Sequence, residues 1–248
     1  MKRATRWYDY ITINIYWFAL TTRSQVLAPL IIPLLVQQFV GEAVKGTYVG
    51  QIRLWALMTA VLVQSLMGII SDQSRSRWGR RRPFILIGTI GEIMAFIAIG
   101  FIAGSQGLTG YWLLFAIYIF SMFESNTAQA ATQGLIPDLV PDEKKGRFSG
   151  VKALLELPVP VIFVSFVIGK LVSAGKIWEA LFALIAVMIL CTVIAMFAPE
   201  TPNTVEKKKL DWQPFIRLVV MTAVFTVIIL GVGFLVKTLV TLNTSSPS

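Results

Sequence analysis

The chain has 248 residues, 56% of them hydrophobic and only 14% charged, with a net charge of +9. So little charge does not cover the surface of a soluble domain this long, so the membrane class comes first. There is no histidine, which excludes histidine bases, histidine metal sites and Ser-His-Asp triads. The single cysteine, Cys191, lies in an apolar run and makes neither an intrachain disulfide nor a metal cluster. No glycine loop suited to phosphate is present, since the "GVG" at 231–233 is itself embedded in apolar sequence. The composition thus calls for no cofactor, no metal and no enzyme. The basic excess reads through its position between apolar runs, with the lipid bilayer as partner and not nucleic acid.

A bilayer core takes roughly 20 mainly apolar residues per helix. Seven such segments follow one another, at about 11–39, 51–71, 83–104, 111–133, 150–173, 178–198 and 215–240. The runs are long and continuous and lack the ~10-residue alternation of barrel strands, so the expectation is an all-α membrane protein. The basic start "MKRATR" leads into an apolar stretch too long for a signal-peptide core, and reads as the approach to a span rather than a cleaved leader. Breakers fall at "GEAVKG", "GSQGLTG" and "PETPNTVEKKK". They divide the chain into a six-helix bundle over 1–199, a linker over 200–214, a seventh helix over 215–240 and a short polar tail over 241–248. With the N-terminus inside, fifteen Lys and Arg fall on inner segments and five on outer ones. That asymmetry predicts a multi-pass protein of a cell membrane, plasma or inner, with a cytoplasmic N-terminus.

In the first span, Asn14, Thr21 and Gln25 share a face at i, i+7 and i+11. Arg23 lies near its middle, where a charge is costly and faces a cavity or a partner. It either lines a pathway and binds hydroxyls or an anionic group, or it belongs to a structural ion pair or snorkels. The second span ends in "GIISDQSRSRWGRRRP", which sets Gly68 and Asp72 before Arg75, Arg77, Gly79, Arg80, Arg81 and Arg82. A bare glycine lets the second helix approach a neighbour closely. Asp72 can accept hydrogen bonds from arginines, and the arginines can pair with acids on moving loops as a charge latch between two states. The alternative is that the arginines set topology only.

The third span carries Glu92 and the fourth carries Glu124, Asn126, Gln129 and Gln133. The three amides fall on one stripe at i, i+3 and i+7; such groups both donate and accept, as sugar hydroxyls require, and helix–helix bonding would use them equally well. Glu124 points about 140° away from the stripe. A carboxyl away from water can take up or release a proton as access changes, which makes Glu124 the first proton-coupling candidate and Glu92 the second. In the fifth span Lys152 and Glu156 are spaced to pair at i, i+4, and Pro158 and Pro160 remove backbone donors and bend the helix.

The Gly68–Asp72–Gly79–Arg80–Arg81–Arg82 arrangement resembles the signature between the second and third helices of the major facilitator superfamily. The expanded "RSRWGRRRP", with "YWFAL…PLLV" in the first span and "SNTAQAATQGLIPDLVPDEKKGRFSG" at 125–150, is similar to its branch of sucrose–proton symporters and glycoside, pentoside and hexuronide carriers. The resemblance covers roughly the first 200 residues. It implies the six-helix N-terminal bundle of a major facilitator fold plus a seventh helix, and transport of a small polar solute, sugar or glycoside, with a proton as the expected coupling ion. It sets the acid of the fourth helix at the position of Met122, two residues before Glu124. It also implies a second six-helix half, so the expectation is either a truncated carrier or a half completed by a second chain. A membrane assembly protein that keeps the fold without transporting is the competing expectation.

Overall fold

A computed structural model of the chain describes residues 6–200 and 212–244. Lys2, Arg3, Lys207, Lys208 and Lys209, counted above for orientation, and the end of the polar tail at 245–248 lie outside the described residues. The chain divides into two compact units, Met1–Glu206 and Lys207–Ser248.

Among its described residues the first unit holds six helices long and apolar enough to span a membrane: α1 (Asp9–Val40), α2 (Glu42–Asp72), α3 (Arg82–Ile102), α4 (Gly107–Leu139), α5 (Asp142–Ser173) and α6 (Ile177–Ala195). Among its described residues the second unit holds one helix, α7 (Gln213–Thr244). Its span is Phe215–Gly233. Apolar side chains such as Ile216, Val220 and Ile228 are exposed along it, as expected for a helix that meets lipid.

The helices begin earlier than the apolar runs. "GEAVKG" reads as a breaker in the sequence, yet only Gly41 interrupts the chain there and α2 is helical from Glu42. α5 starts at Asp142 because Pro141 is followed by two acids, Asp142 and Glu143, which favour a helix N-terminus. Pro158 and Pro160 act as the sequence suggests: the helix breaks at Leu157, where φ is −121° and ψ is −74°, and restarts at Pro158. Lys152 and Glu156 do pair, at 3.6 Å. Lys152 Nζ also lies 3.8 Å from the centre of the Trp17 ring.

α1 is the central helix of the first unit and packs against α2, α4, α5 and α6, while α3 lies between α4 and α6. Tyr16, Leu27, Ile31, Leu35, Phe96, Ile99 and Leu184 form the packed interior. The Tyr16 hydroxyl of α1 shares a hydrogen bond with Thr89 of α3 at 2.8 Å, and Thr89 shares another with Thr192 of α6 at 2.9 Å. Hydroxyls linked in this way satisfy one another where no water is at hand. The contact between α3 and α4 is close because Gly88 and Gly91 present bare backbone. A Cβ at Gly88 would lie 2.8 Å from that of Ala128, and one at Gly91 would overlap the Glu124 carboxyl.

Candidate functional site

Near the middle of α1, α3 and α4, five side chains converge. Arg23 Nε donates to Glu92 Oε1 at 2.6 Å, Arg23 Nη2 donates to Ser121 Oγ at 2.5 Å, and Ser121 Oγ donates to the same Glu92 oxygen at 2.9 Å. Arg23 Nη1 points to Met122 Sδ at 3.4 Å, and the guanidinium lies 5.8 Å from the centre of the Tyr118 ring. Arg23 is 5% exposed and Glu92 0%. The sequence gives Arg23 and Glu92 separate roles, and the fold makes them one buried ion pair. Burial makes such a pair a high-stakes element, because loss of one member leaves the other without its partner in a region that solvates charge poorly.

Glu124, from the same stretch of α4, faces α3. Its carboxyl occupies the space beside Gly91, and the residue as a whole is 9% exposed. Glu92 Oε2 and Glu124 Oε2 are both buried without a hydrogen-bond partner among the described residues.

The other pathway candidates are spread out. Asn14 is fully buried and its amide donates to the Tyr10 carbonyl at 3.0 Å. Thr21 is half-buried and Gln25 exposed, so the stripe on α1 runs from the interior to the surface of the unit. Asn126 is buried and turns back to the Met122 carbonyl of its own helix at 2.7 Å. Gln129 is half-buried, and exposed Gln133 accepts from Gln64 Nε2 of α2 at 3.0 Å. Two of the three amides are therefore occupied by protein partners.

A second polar cluster closes one end of the unit. Arg81 is buried: it forms an ion pair with Asp72 at the end of α2, donates from Nε to Asp138 Oδ2 of α4 at 3.0 Å and from Nη1 to Ser71 Oγ at 2.5 Å. Arg80 forms an ion pair with the same Asp138. The backbone N–H groups of Arg81 and Arg82 donate to the Glu200 carboxylate at 3.0 and 3.2 Å, at the N-terminus of α3 where an anion is favoured. The Arg82 side chain donates to the Ala198 carbonyl. Gly79 has a φ of +108°, and Glu200 fills the place where its Cβ would be, so conformation and space both call for glycine. Arg75 and Arg77 are exposed. A Cβ at Gly68 meets nothing within 4 Å, so the described residues make no close approach there.

Asp138 and Glu200 are the partners that sequence reasoning missed. Parity of the spans puts the 2–3, 4–5 and 6–7 connections on one side, which brings "IPD" and "PET" to the arginines, but it does not say which acid meets which arginine. Burial pushes the Glu200 carboxyl above the usual glutamate range, against the opposing pull of the Arg81 and Arg82 N–H groups and charges. An acid raised in this way favours the folded protein while protonated. Its contribution is full below the ordinary glutamate value and is lost as pH rises through that value towards the raised one. The wild-type protein should therefore lose thermal stability relative to Glu200→Gln as pH rises above about 4. A pH series of melting curves that stay parallel would exclude Glu200 from the response.

Among the described residues no group of three or more acidic or cysteine side chains could hold a metal ion.

The family profile described as Major Facilitator Superfamily matches residues 13–247. Lactose permease of Lactobacillus helveticus is 28% identical over 190 residues, 68% of this chain and 29% of its own length. Sucrose transport protein SUC3 of Arabidopsis thaliana is 26% identical over 188 residues, 60% of this chain and 30% of its own. Sucrose transport protein SUT1 of Oryza sativa subsp. japonica is 31% identical over 98 residues, 33% of this chain and 18% of its own. The chain spans less than a third of the length of these curated relatives.

Proposed function

Because the chain belongs to the major facilitator superfamily, we propose that it serves as a carrier, not an enzyme, moving a sugar- or glycoside-class polar solute across a cell membrane by alternating access, with a proton as the coupled ion. The observation that carries this reading is the Arg23–Glu92 pair, held with Ser121 between three spans. A buried ion pair contributes little to stability compared with apolar packing, so its place at the centre of the unit fits a working element. The names of the matched lactose and sucrose proteins support the solute class.

In this reading the N-terminus is cytoplasmic, following the fifteen-to-five distribution of basic residues. The Asp72–Arg81–Asp138 and Arg80–Asp138 pairs, with Glu200 on the N-terminus of α3, then form an inner latch that holds one state and parts in the other. Exposed Gln25 and half-buried Gln129 are the amides left to turn towards solute, with Thr21 one turn before Gln25 on α1. A second half of the pathway comes from further sequence or from a second chain.

Entry of labelled sugars and glycosides into vesicles bearing the chain tests the reading. A saturable entry above that of empty vesicles is expected for at least one member of the panel. Entry no faster than into empty vesicles for every member would overturn transport by this chain and favour a role in assembly.

A further inference from the structure

α1 changes register in its second half. Leu27–Ile31 is a π turn, a local form that recurs at functional sites. The Leu27 N–H still donates to the Arg23 carbonyl, four residues back, but the Ile32 N–H donates to the Leu27 carbonyl, five back. The next donor in that register would belong to Pro33, which has no N–H. The Ala28 carbonyl is therefore left without a backbone donor in either the α or the π register. A side chain from another helix takes that place: Arg53 of α2 donates from Nη2 to the Ala28 carbonyl at 3.2 Å.

Arg53 is itself a costly residue. It lies about three turns into α2, within a span, and is exposed on the unit. A charge inside a span faces a cavity or a partner rather than lipid. Among the described residues no acid stands within ion-pair distance of it. What it meets on α1 is the polar stripe, because Thr21, Gln25 and Ala28 follow at i, i+4 and i+7 and share a face. Towards α4 its charge reaches the Tyr118 phenol, whose ring centre lies 5.8 Å from the Arg23 guanidinium. Arg53 thus stands where α1, α2 and α4 meet. A guanidinium carries five N–H donors, and the bond to Ala28 uses one of them.

We propose that Arg53 is an exchangeable clamp on α1: it holds the Ala28 carbonyl in the absence of solute, and the oxygens of an entering sugar displace that carbonyl from it. An arginine suits both tasks, since a carbonyl and a sugar hydroxyl are both acceptors and its planar fork takes two oxygens at once. Once displaced, the Ala28 carbonyl has to find water or a new register, so the π turn loses what fixes it. The change passes to α5, whose last turn, Gly169–Ser173, packs on the π turn. Capture of solute at Arg53 and rearrangement of α1 are then one event. This deepens the carrier reading and rests on it for the sugar alone, because the clamp is readable in the protein without solute.

The test is a double-mutant cycle on the full chain in lipid, with Arg53→Met, Pro33→Ala and both together. Pro33→Ala returns an N–H to α1 and gives the Ala28 carbonyl a donor of its own. In thermal melting without sugar, Arg53→Met should lower the melting temperature by several degrees more in the wild-type background than in the Pro33→Ala background. Equal shifts in the two backgrounds would overturn the clamp. Binding of radiolabelled lactose and sucrose, the sugars in the names of the matched relatives, reads the exchange. Arg53→Met should weaken binding of the accepted sugar about tenfold or more, the loss of a charged hydrogen bond. Pro33→Ala should tighten it about threefold or more, because the backbone no longer competes for Arg53. Unchanged or weaker binding in Pro33→Ala would overturn the exchange. A wild-type protein that binds neither sugar while the melting cycle behaves as described would remove the carrier reading and leave the clamp standing.

Discussion

Glu92→Leu should destabilise the six-helix unit by about 3–5 kcal/mol, the size of loss when one member of a buried ion pair is removed. The cause is the stranded guanidinium of Arg23, 5% exposed and left with Ser121 and the Met122 sulfur as side-chain hydrogen-bond acceptors. Arg23→Met should cost less, because Glu92 can take up a proton and become neutral, whereas Arg23 cannot lose one. The double variant Arg23→Met/Glu92→Leu should recover most of the loss, since an apolar pair of similar volume packs in that place without a desolvation cost. Equilibrium unfolding of the reconstituted protein, run as a double-mutant cycle, gives the coupling directly. Two single losses that simply add would show that the 2.6 Å contact contributes nothing as a pair.

Arg81→Leu should cost at least about 1.5–3 kcal/mol, the worth of hydrogen bonds to charged partners. Arg81 is buried and joins Ser71 and Asp72 of α2 to Asp138 of α4, so one substitution cuts several links between helix ends. Arg77→Leu, on an exposed side chain in the same loop, should stay within about 0.5 kcal/mol. If the latch governs access, Arg81→Leu should also raise the labelling of cysteines placed on the inner side of the pathway, while Arg77→Leu leaves it unchanged. Equal effects of the two substitutions on melting and labelling would reduce the cluster to a topology marker.

The architecture was legible in the sequence because hydropathy alone separates seven long apolar runs. The ends were less legible. α2 begins nine residues before its apolar run because "EAVKGTYVG" has nothing that stops a helix except its flanking Gly41. The site was legible as a set of residues and not as an arrangement. Arg23, Glu92 and Glu124 stand out because charges inside apolar runs are costly, but their spacing within single helices says nothing about which face meets which helix. Packing decides that: Gly88 and Gly91 let α4 approach α3, which turns Glu124 onto Gly91 and leaves Glu92 to Arg23. The amide stripe is the instructive case. Its period is helical and its residues are polar, yet Asn126 satisfies its own backbone and Gln133 bonds to Gln64, partners that periodicity cannot anticipate. The arginine cluster announced a polar contact at one end of the unit. Its partners lie elsewhere in the chain, Asp138 in the last turn of α4 and Glu200 after α6, and neither stands out until the fold brings them in.

The most direct measurement of the central claim is the pH inside vesicles bearing the chain during downhill entry of an accepted sugar. Proton coupling through the buried Glu92 and Glu124 predicts acidification of the lumen that follows sugar entry and is lost in Glu92→Gln and in Glu124→Gln. Sugar entry with no change in lumenal pH, or acidification that persists when both carboxyls are replaced, would contradict it.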